Sequence, residues 1–137
     1  MSRSPRSSST ILVVDDEPAV LKLVKLILEA AGYAVLVAGN GQQALALCEN
    51  RNHMIDLLLT DINMPDISGP ELACQVSEII PHLPVIFMTG CSADSSGIEC
   101  LRREGPFSDC EVISKPFTSP QLLSEVAGIC STIFPSM

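Results

Sequence analysis

Five short strand-like runs recur along the chain, and each gives way within a few residues to a polar turn and an amphipathic stretch. They are Ile11-Leu12-Val13-Val14, Tyr33-Ala34-Val35-Leu36-Val37, Leu57-Leu58-Leu59, Leu83-Pro84-Val85-Ile86-Phe87-Met88 and Glu111-Val112-Ile113-Ser114. Most are apolar throughout rather than alternating, the pattern of strands covered on both faces. Strands that alternate with helices through short connections require a parallel sheet with right-handed crossovers. The sequence therefore predicts one doubly wound α/β domain over residues 10–133, without a second domain.

The intervening stretches carry helix signals. Pro18 starts the first, where its missing N–H costs little, and Val20, Leu21, Leu23, Val24, Ile27, Leu28 and Ala31 form its apolar stripe up to a Gly32 C-cap. Asn40-Gly41 opens the second, with Ala44, Leu45, Leu47 and Cys48 inward. A third follows the Asn63 to Pro70 loop and carries Leu72, Ala73, Val76, Ile79 and Ile80. A weak helix is expected from about Ala93 to Arg103, where Ser95, Ser96 and Gly97 lower propensity and favour mobility. Thr118 caps the last, with Leu122, Leu123, Val126, Ile129 and Cys130 facing the core. That makes about five helices. Residues 1–9 are expected as a disordered tail and 134–137 as a short C-terminal one.

Charge and cysteine usage narrow the function. The formal net charge of -8 speaks against direct nucleic-acid binding, which needs a basic footprint, and suits a divalent cation or a basic protein surface. No apolar run approaches the length of a membrane span, and the Ser- and Arg-rich start has no apolar signal core, so a cytoplasmic protein is expected. Six cysteines (Cys48, Cys74, Cys91, Cys100, Cys110, Cys130) lack zinc-site spacing, and neither His53 nor His82 sits near a paired set. They read as small hydrophobes, with Cys91 the one close to the site.

Chemistry gathers at the strand exits. Asp15 and Asp16 follow the first strand, Asp61 the third, Thr89 the fourth and Lys115 the fifth. In the order 2-1-3-4-5, the flavodoxin-like winding, the first and third strands flank the point where winding reverses, and ligands bind in the crevice at their carboxyl ends. Three aspartates there repel: each like pair costs about 4 kcal/mol at about 4 Å and an effective dielectric near 20. Protons or a cation must offset this, and hard oxygen donors without His or Cys favour Mg²⁺. An aspartate between a divalent ion and a lysine is placed to attack a phosphoryl group, with Thr89 able to hydrogen-bond a phosphoryl oxygen.

Taken singly, these residues have plainer readings. Asp61 fits a turn or an N-cap, Asp16 and Glu17 fit helix-dipole acids, Thr89 a cap, and Lys115 surface charge. Their convergence on one sheet edge is what favours a site.

Three stretches carry a family resemblance: Val13-Val14-Asp15-Asp16-Glu17-Pro18, Leu59-Thr60-Asp61-Ile62-Asn63-Met64-Pro65-Asp66-Ile67-Ser68-Gly69, and Lys115-Pro116-Phe117. With Thr89 between the last two, the chain resembles a two-component response-regulator receiver domain over about residues 10–133, either stand-alone or part of a larger regulator or hybrid kinase. The resemblance implies that Asp61 takes a phosphoryl group from a phosphohistidine on a histidine kinase or phosphotransfer protein. It implies Mg²⁺ held by Asp15 or Asp16, Asp61 and the Asn63 backbone carbonyl, with Asp16 the favoured direct ligand. Lys115 would pair with phosphoryl oxygens, and Lys115-Pro116 would be a cis peptide. Pro65, Gly69 and Pro116 shape the turns.

The resemblance also implies switching between Thr89 and an aromatic on the fifth strand, where this chain has Val112. Gly90 would leave access to the site open. Asn63 and Cys91 occupy positions that tune phosphoryl lifetime, and neither is a carboxylate that would orient an attacking water, which implies slow to intermediate self-dephosphorylation. The function expected is a phosphoacceptor switch, not a turnover enzyme, that acts on a downstream protein or output domain, with a homodimer as a further partner state. Two alternatives stand beside it: an interaction module that does not use phosphate, and a small aspartate-nucleophile phosphatase. The latter usually needs Asp-x-Asp after the first strand and a cap domain, where this chain has Asp-Asp-Glu and no room for one.

Overall fold

A computed structural model describes residues 9–50, 54–90 and 111–133, with side chains described as far as Ile129. Five strands form one parallel sheet: β1 (Thr10–Val14), β2 (Ala34–Ala38), β3 (Leu57–Asp61), β4 (Val85–Thr89) and β5 (Glu111–Ser114). Four helices are described: α1 (Pro18–Ala30), α2 (Gly41–Glu49), α3 (Gly69–Ile79) and α4 (Ser119–Ile133). The strand order is β2-β1-β3-β4-β5, the flavodoxin-like order expected. β1 pairs with both β2 and β3, so the winding reverses between β1 and β3.

The sheet separates two cores. Leu12, Val14, Leu58 and Phe87 point to one face, where Ala44 and Cys48 of α2 and Leu72, Ala73 and Val76 of α3 cover them. Ile11, Val13, Leu57, Leu59, Ile86 and Met88 point to the other, under Val24 and Leu28 of α1 and Leu122 and Val126 of α4. Adjacent residues on one strand thus serve opposite cores, which is why β3 and β4 are buried at every position.

Helix ends follow their local chemistry. Asn40 and Ser68 accept hydrogen bonds from the backbone N–H groups of Gln43 and Glu71. Thr118 and Gln121 form a reciprocal capping box at the start of α4. After α1, Gly32 takes φ +101°, donates to Glu29, and lets Tyr33 donate to Leu28, a Schellman closure one residue beyond the Ala31 C-cap.

Several expectations need correcting. Leu23 does not belong to the buried stripe of α1: it is 51% exposed, as is Leu26 at 59%. At 100° per residue Leu23 lies about 90° from the stripe's centre, too far round to reach the sheet. Ser9 is not part of a loose tail, since it is buried and its carbonyl accepts from the Ala34 N–H at 2.9 Å. Strands β2 and β4 are shifted toward the site relative to the apolar runs: they start at Ala34 and Val85 rather than Tyr33 and Leu83, and end one residue later, at Ala38 and Thr89. The predicted helix at 93–103, Cys91, and the tails at 1–8 and 134–137 lie outside the described residues, as does the side chain of Cys130.

Candidate functional site: an acidic crevice at the switch point

The site is built on strand ends that backbone hydrogen bonds continue to hold after the ladders stop. The Asp15 N–H donates to Ala38 at 3.2 Å, Ile62 to Met88 at 3.0 Å, and Lys115 to Thr89 at 2.7 Å. Asp15 and Lys115 are therefore fixed through their main chain, and Ile62 holds the chain in place just after Asp61. Asp61 is the last residue of β3 rather than part of a turn, so neither a turn nor an N-cap role applies to it.

One carboxylate oxygen each from Asp15, Asp16 and Asp61 lies within 4.8 Å of the others. Asp15 and Asp61 are buried while Asp16 is exposed, so the cluster opens to solvent on the Asp16 side. Lys115 enters this group directly. Its Nζ lies 2.8 Å from Asp15 Oδ2, 3.6 Å from Asp61 Oδ2 and 3.7 Å from Glu17 Oε1. Asp15 Oδ1 accepts from the Glu17 N–H at 2.9 Å, which keeps both its oxygens engaged. The peptide bond from Lys115 to Pro116 is cis.

The charges have unequal consequences. Burial raises the Asp61 carboxyl above its ordinary value of 3.8, and neighbouring Asp15 and Asp16 raise it further. Lys115 and the backbone N–H of Asn63 oppose this without cancelling it. Burial works against the Lys115 ammonium, yet the hydrogen bond and charge of Asp15, with Asp61 and Glu17, win and raise it above 10.5. Lys115 thus stays charged, and three carboxylates against one ammonium leave a net charge near -2 when all are ionised. A divalent cation matches that charge, and an all-oxygen donor set suits a hard ion such as Mg²⁺.

Around this centre, Thr89 is buried at the end of β4 and Gly90 beside it is exposed among the described residues, none of which lies within 4 Å of where a Cβ would stand. Asn63 and Pro65 are exposed on the β3–α3 loop. Gly69 closes that loop by donating to the Ile62 carbonyl at 2.7 Å, in a place where a Cβ would strike the Asp61 carbonyl oxygen. Val112 pairs in register with Phe87 and packs, half-buried, against the α2–α3 core. Pro116 is exposed and its neighbour Phe117 packs on the opposite core.

Sequence reading did not find Asp66. Its carboxylate accepts from the Gly41 N–H at 3.0 Å and the Gln42 N–H at 3.3 Å, tying the β3–α3 loop to the start of α2. No local signal could reveal it, because the partners lie 25 and 24 positions away.

Fold and site together define a class: a flavodoxin-like α/β domain with an acidic, lysine-bearing crevice at its topological switch point. The family pattern described as the response regulator receiver domain matches residues 11–127. The chain belongs to that family, the receiver domains of two-component response regulators. It is 32% identical over 120 residues to the polar-differentiation response regulator DivK of Brucella anthropi, covering 85% of this chain and 92% of that protein. It is also 32% identical to the transcriptional regulatory protein TrcR of Mycobacterium tuberculosis, but spans only 47% of it. The chain covers about half the length of several such relatives. Among solved structures, a receiver domain protein from Clostridium thermocellum superposes with a TM-score of 0.79 at 31% identity, covering 91% of this chain and 96% of that one. The response regulator TrrA of Thermotoga maritima, solved with Mg²⁺ and beryllofluoride, superposes with a TM-score of 0.74 at 31% identity, over 88% of this chain and 98% of that one.

Proposed function

We propose that this receiver domain is a phosphoacceptor switch in which Asp61 takes a phosphoryl group from a phosphohistidine on a histidine kinase or phosphotransfer protein. The observation that carries this is the placement of the Asp61 carboxylate at the end of β3, 3.6 Å from the Lys115 ammonium and within the Asp15–Asp16 cluster. An Asp61 oxygen bonds to phosphorus as the P–N bond breaks, and the bonding pair returns to the imidazole nitrogen. Lys115 neutralises charge on the phosphoryl oxygens, and Thr89, on the next strand, donates to one of them.

Asp16, Asp61 and the Asn63 carbonyl would hold Mg²⁺, with Asp15 behind them. The engagement of both Asp15 oxygens by Lys115 and the Glu17 N–H supports Asp16 as the direct ligand. When bound, the ion supplies positive charge against the phosphoryl oxygens. The solved complex of TrrA with Mg²⁺ and beryllofluoride is a relative's example of the same pairing.

The domain acts as a regulator rather than a turnover enzyme. It would work in the cytoplasm, through a downstream protein or attached output domain and, when phosphorylated, a homodimer, without touching nucleic acid itself. Asn63 and Cys91 make its self-dephosphorylation slow to intermediate.

Incubation with acetyl phosphate, or with beryllofluoride, and Mg²⁺ tests this. The expected result is a mass increase of one phosphoryl group, or a bound fluoride signal by ¹⁹F NMR, that chelation prevents and Asp61→Asn abolishes. A second reading, a module that binds partners without phosphate, is favoured by one observation: a valine, not an aromatic ring, packs at position 112. An intact partner interaction in Asp61→Asn, with no adduct on the wild type, would establish it.

A further inference from the structure

The loop that follows Asp61 is fastened at two places. On the sheet side, the Gly69 N–H donates to Ile62, and the absence of a side chain at Gly69 lets the loop close against the Asp61 carbonyl. The Asn63 backbone N–H in turn bonds the Asp61 carboxylate. On the far side, the loop reaches the first turn of α2. Asp66 accepts from two of the N–H groups that an α-helix leaves without intrahelical partners, and its negative charge meets the positive end of the helix dipole. Ile67 lies against Gly41 so closely that a Cβ there would collide with its Cγ2. Asn40, the N-cap, spends its own oxygen on Gln43, so Gly41 and Gln42 are left to Asp66.

We infer that Asp66, with the Gly41–Ile67 contact, is a positioning residue that fixes the Asn63 carbonyl by clasping the β3–α3 loop to the N-terminus of α2. The inference rests on the reading that this carbonyl helps hold Mg²⁺. Asn63 lies between these anchors on an exposed part of the loop, with its own N–H bonded to Asp61, so the course of the backbone through residues 62–67 sets where its carbonyl points. Residue 66 lies three positions from 63, within one turn of backbone, and a released anchor lets the carbonyl rotate away. Loss of a group bonded directly to a metal's ligands commonly weakens binding by about 10- to 100-fold, and Asp66, which holds the ligand's loop rather than the ligand, is expected at the low end.

The test is an NMR titration of Mg²⁺ into the whole chain, read at the backbone amides of residues 62–67, together with the thermal midpoint of each variant without metal. Asp66→Ala is expected to bind Mg²⁺ about 10-fold more weakly than wild type, the low end because one ligand of several is affected. Asp66→Asn keeps an acceptor oxygen and is expected to retain the wild-type affinity, since Asn serves a helix N-terminus about as well as Asp. Gly41→Ala gives an independent handle, because alanine favours the helix yet drives a methyl into Ile67. It should weaken Mg²⁺ binding, and adding Ile67→Ala should restore it. Overturning the inference needs only one result: Asp66→Ala loses thermal stability but binds Mg²⁺ as the wild type does, which would make Asp66 a helix cap alone. A wild-type chain that shows no Mg²⁺-dependent shifts would instead remove the metal reading beneath it, and the inference with it.

Discussion

Lys115 brings a cation to the acidic site, and its contacts make it structural as well as chemical. Its ammonium is mostly buried against an Asp15 carboxylate with no solvent exposure at all. Removing one partner of such a pair leaves an uncompensated buried charge, at a cost of about 3–5 kcal/mol. Lys115→Ala is therefore expected to lose about that much stability in urea denaturation without Mg²⁺, and to bind Mg²⁺ more tightly because the site is one charge more negative. Equal stability of variant and wild type would contradict the pairing. The pH dependence follows from the raised groups. The Asp61 carboxyl holds its proton more tightly when folded, so its contribution is fullest below 3.8 and is lost as pH climbs through the raised value. Asp61→Asn removes that loss. It should melt at a higher temperature than wild type at neutral pH, with the margin shrinking as pH falls toward 3.8. Lys115 works at the other end of the scale: its contribution is present below 10.5 and disappears above its raised value. The residue types at the strand exits were all legible in the sequence, because strand ends point into one crevice. That Lys115 lands on Asp15, and not only on Asp61, was not legible, since the two are 100 positions apart.

The loop and helix starts show how local rules and packing divide the work. Asn40, Ser68 and Thr118 cap as their residue types dictate, each bonding an N–H three residues on. Gly69 is different, because its need comes from the neighbouring strand. A Cβ there meets the Asp61 carbonyl oxygen and lies 2.9 Å from the Ile62 Cα, and backbone cannot give way as a flexible side chain can. Gly69→Ala is expected to cost about 1–3 kcal/mol by overpacking and to displace Asp61 at the same time. Urea denaturation checks the first, and loss of the Mg²⁺-dependent adduct the second. A glycine in that motif was readable from the sequence as a turn, but not as a close approach to the phosphoacceptor strand. His82, at φ +65° between α3 and β4, likewise shows no signal beyond its place between prolines. Leu23 misled for the opposite reason: a hydrophobic residue counts toward an apolar stripe wherever it falls, while only the helix's distance and angle from the sheet decide whether it is buried.

The two cores make the whole chain behave as layers joined by a sheet. Val24 of α1 and Val76 of α3 are fully buried on opposite faces. Each Val→Ala change removes two methyl-sized groups, at about 0.8 kcal/mol apiece plus a cavity cost, or about 2 kcal/mol. The double variant is expected to lose the sum within about 0.5 kcal/mol, because the sites share no partners. A clear departure in denaturant unfolding would mean the layers are coupled more closely than the side-chain packing indicates. The sequence alone determined the α/β alternation, the helix starts at Asn40 and Thr118, the Gly32 cap and the acid and lysine types at the strand exits, because apolar runs and capping residues act through neighbours a few positions away; the strand order rests on pairings such as Ile11 with Leu57. Tertiary structure alone decided which carboxylates are desolvated, which one the lysine neutralises, and how the loop after Asp61 is anchored to α2. Those depend on burial and on contacts between residues 24 to 100 positions apart, and no local pattern in the chain encodes them.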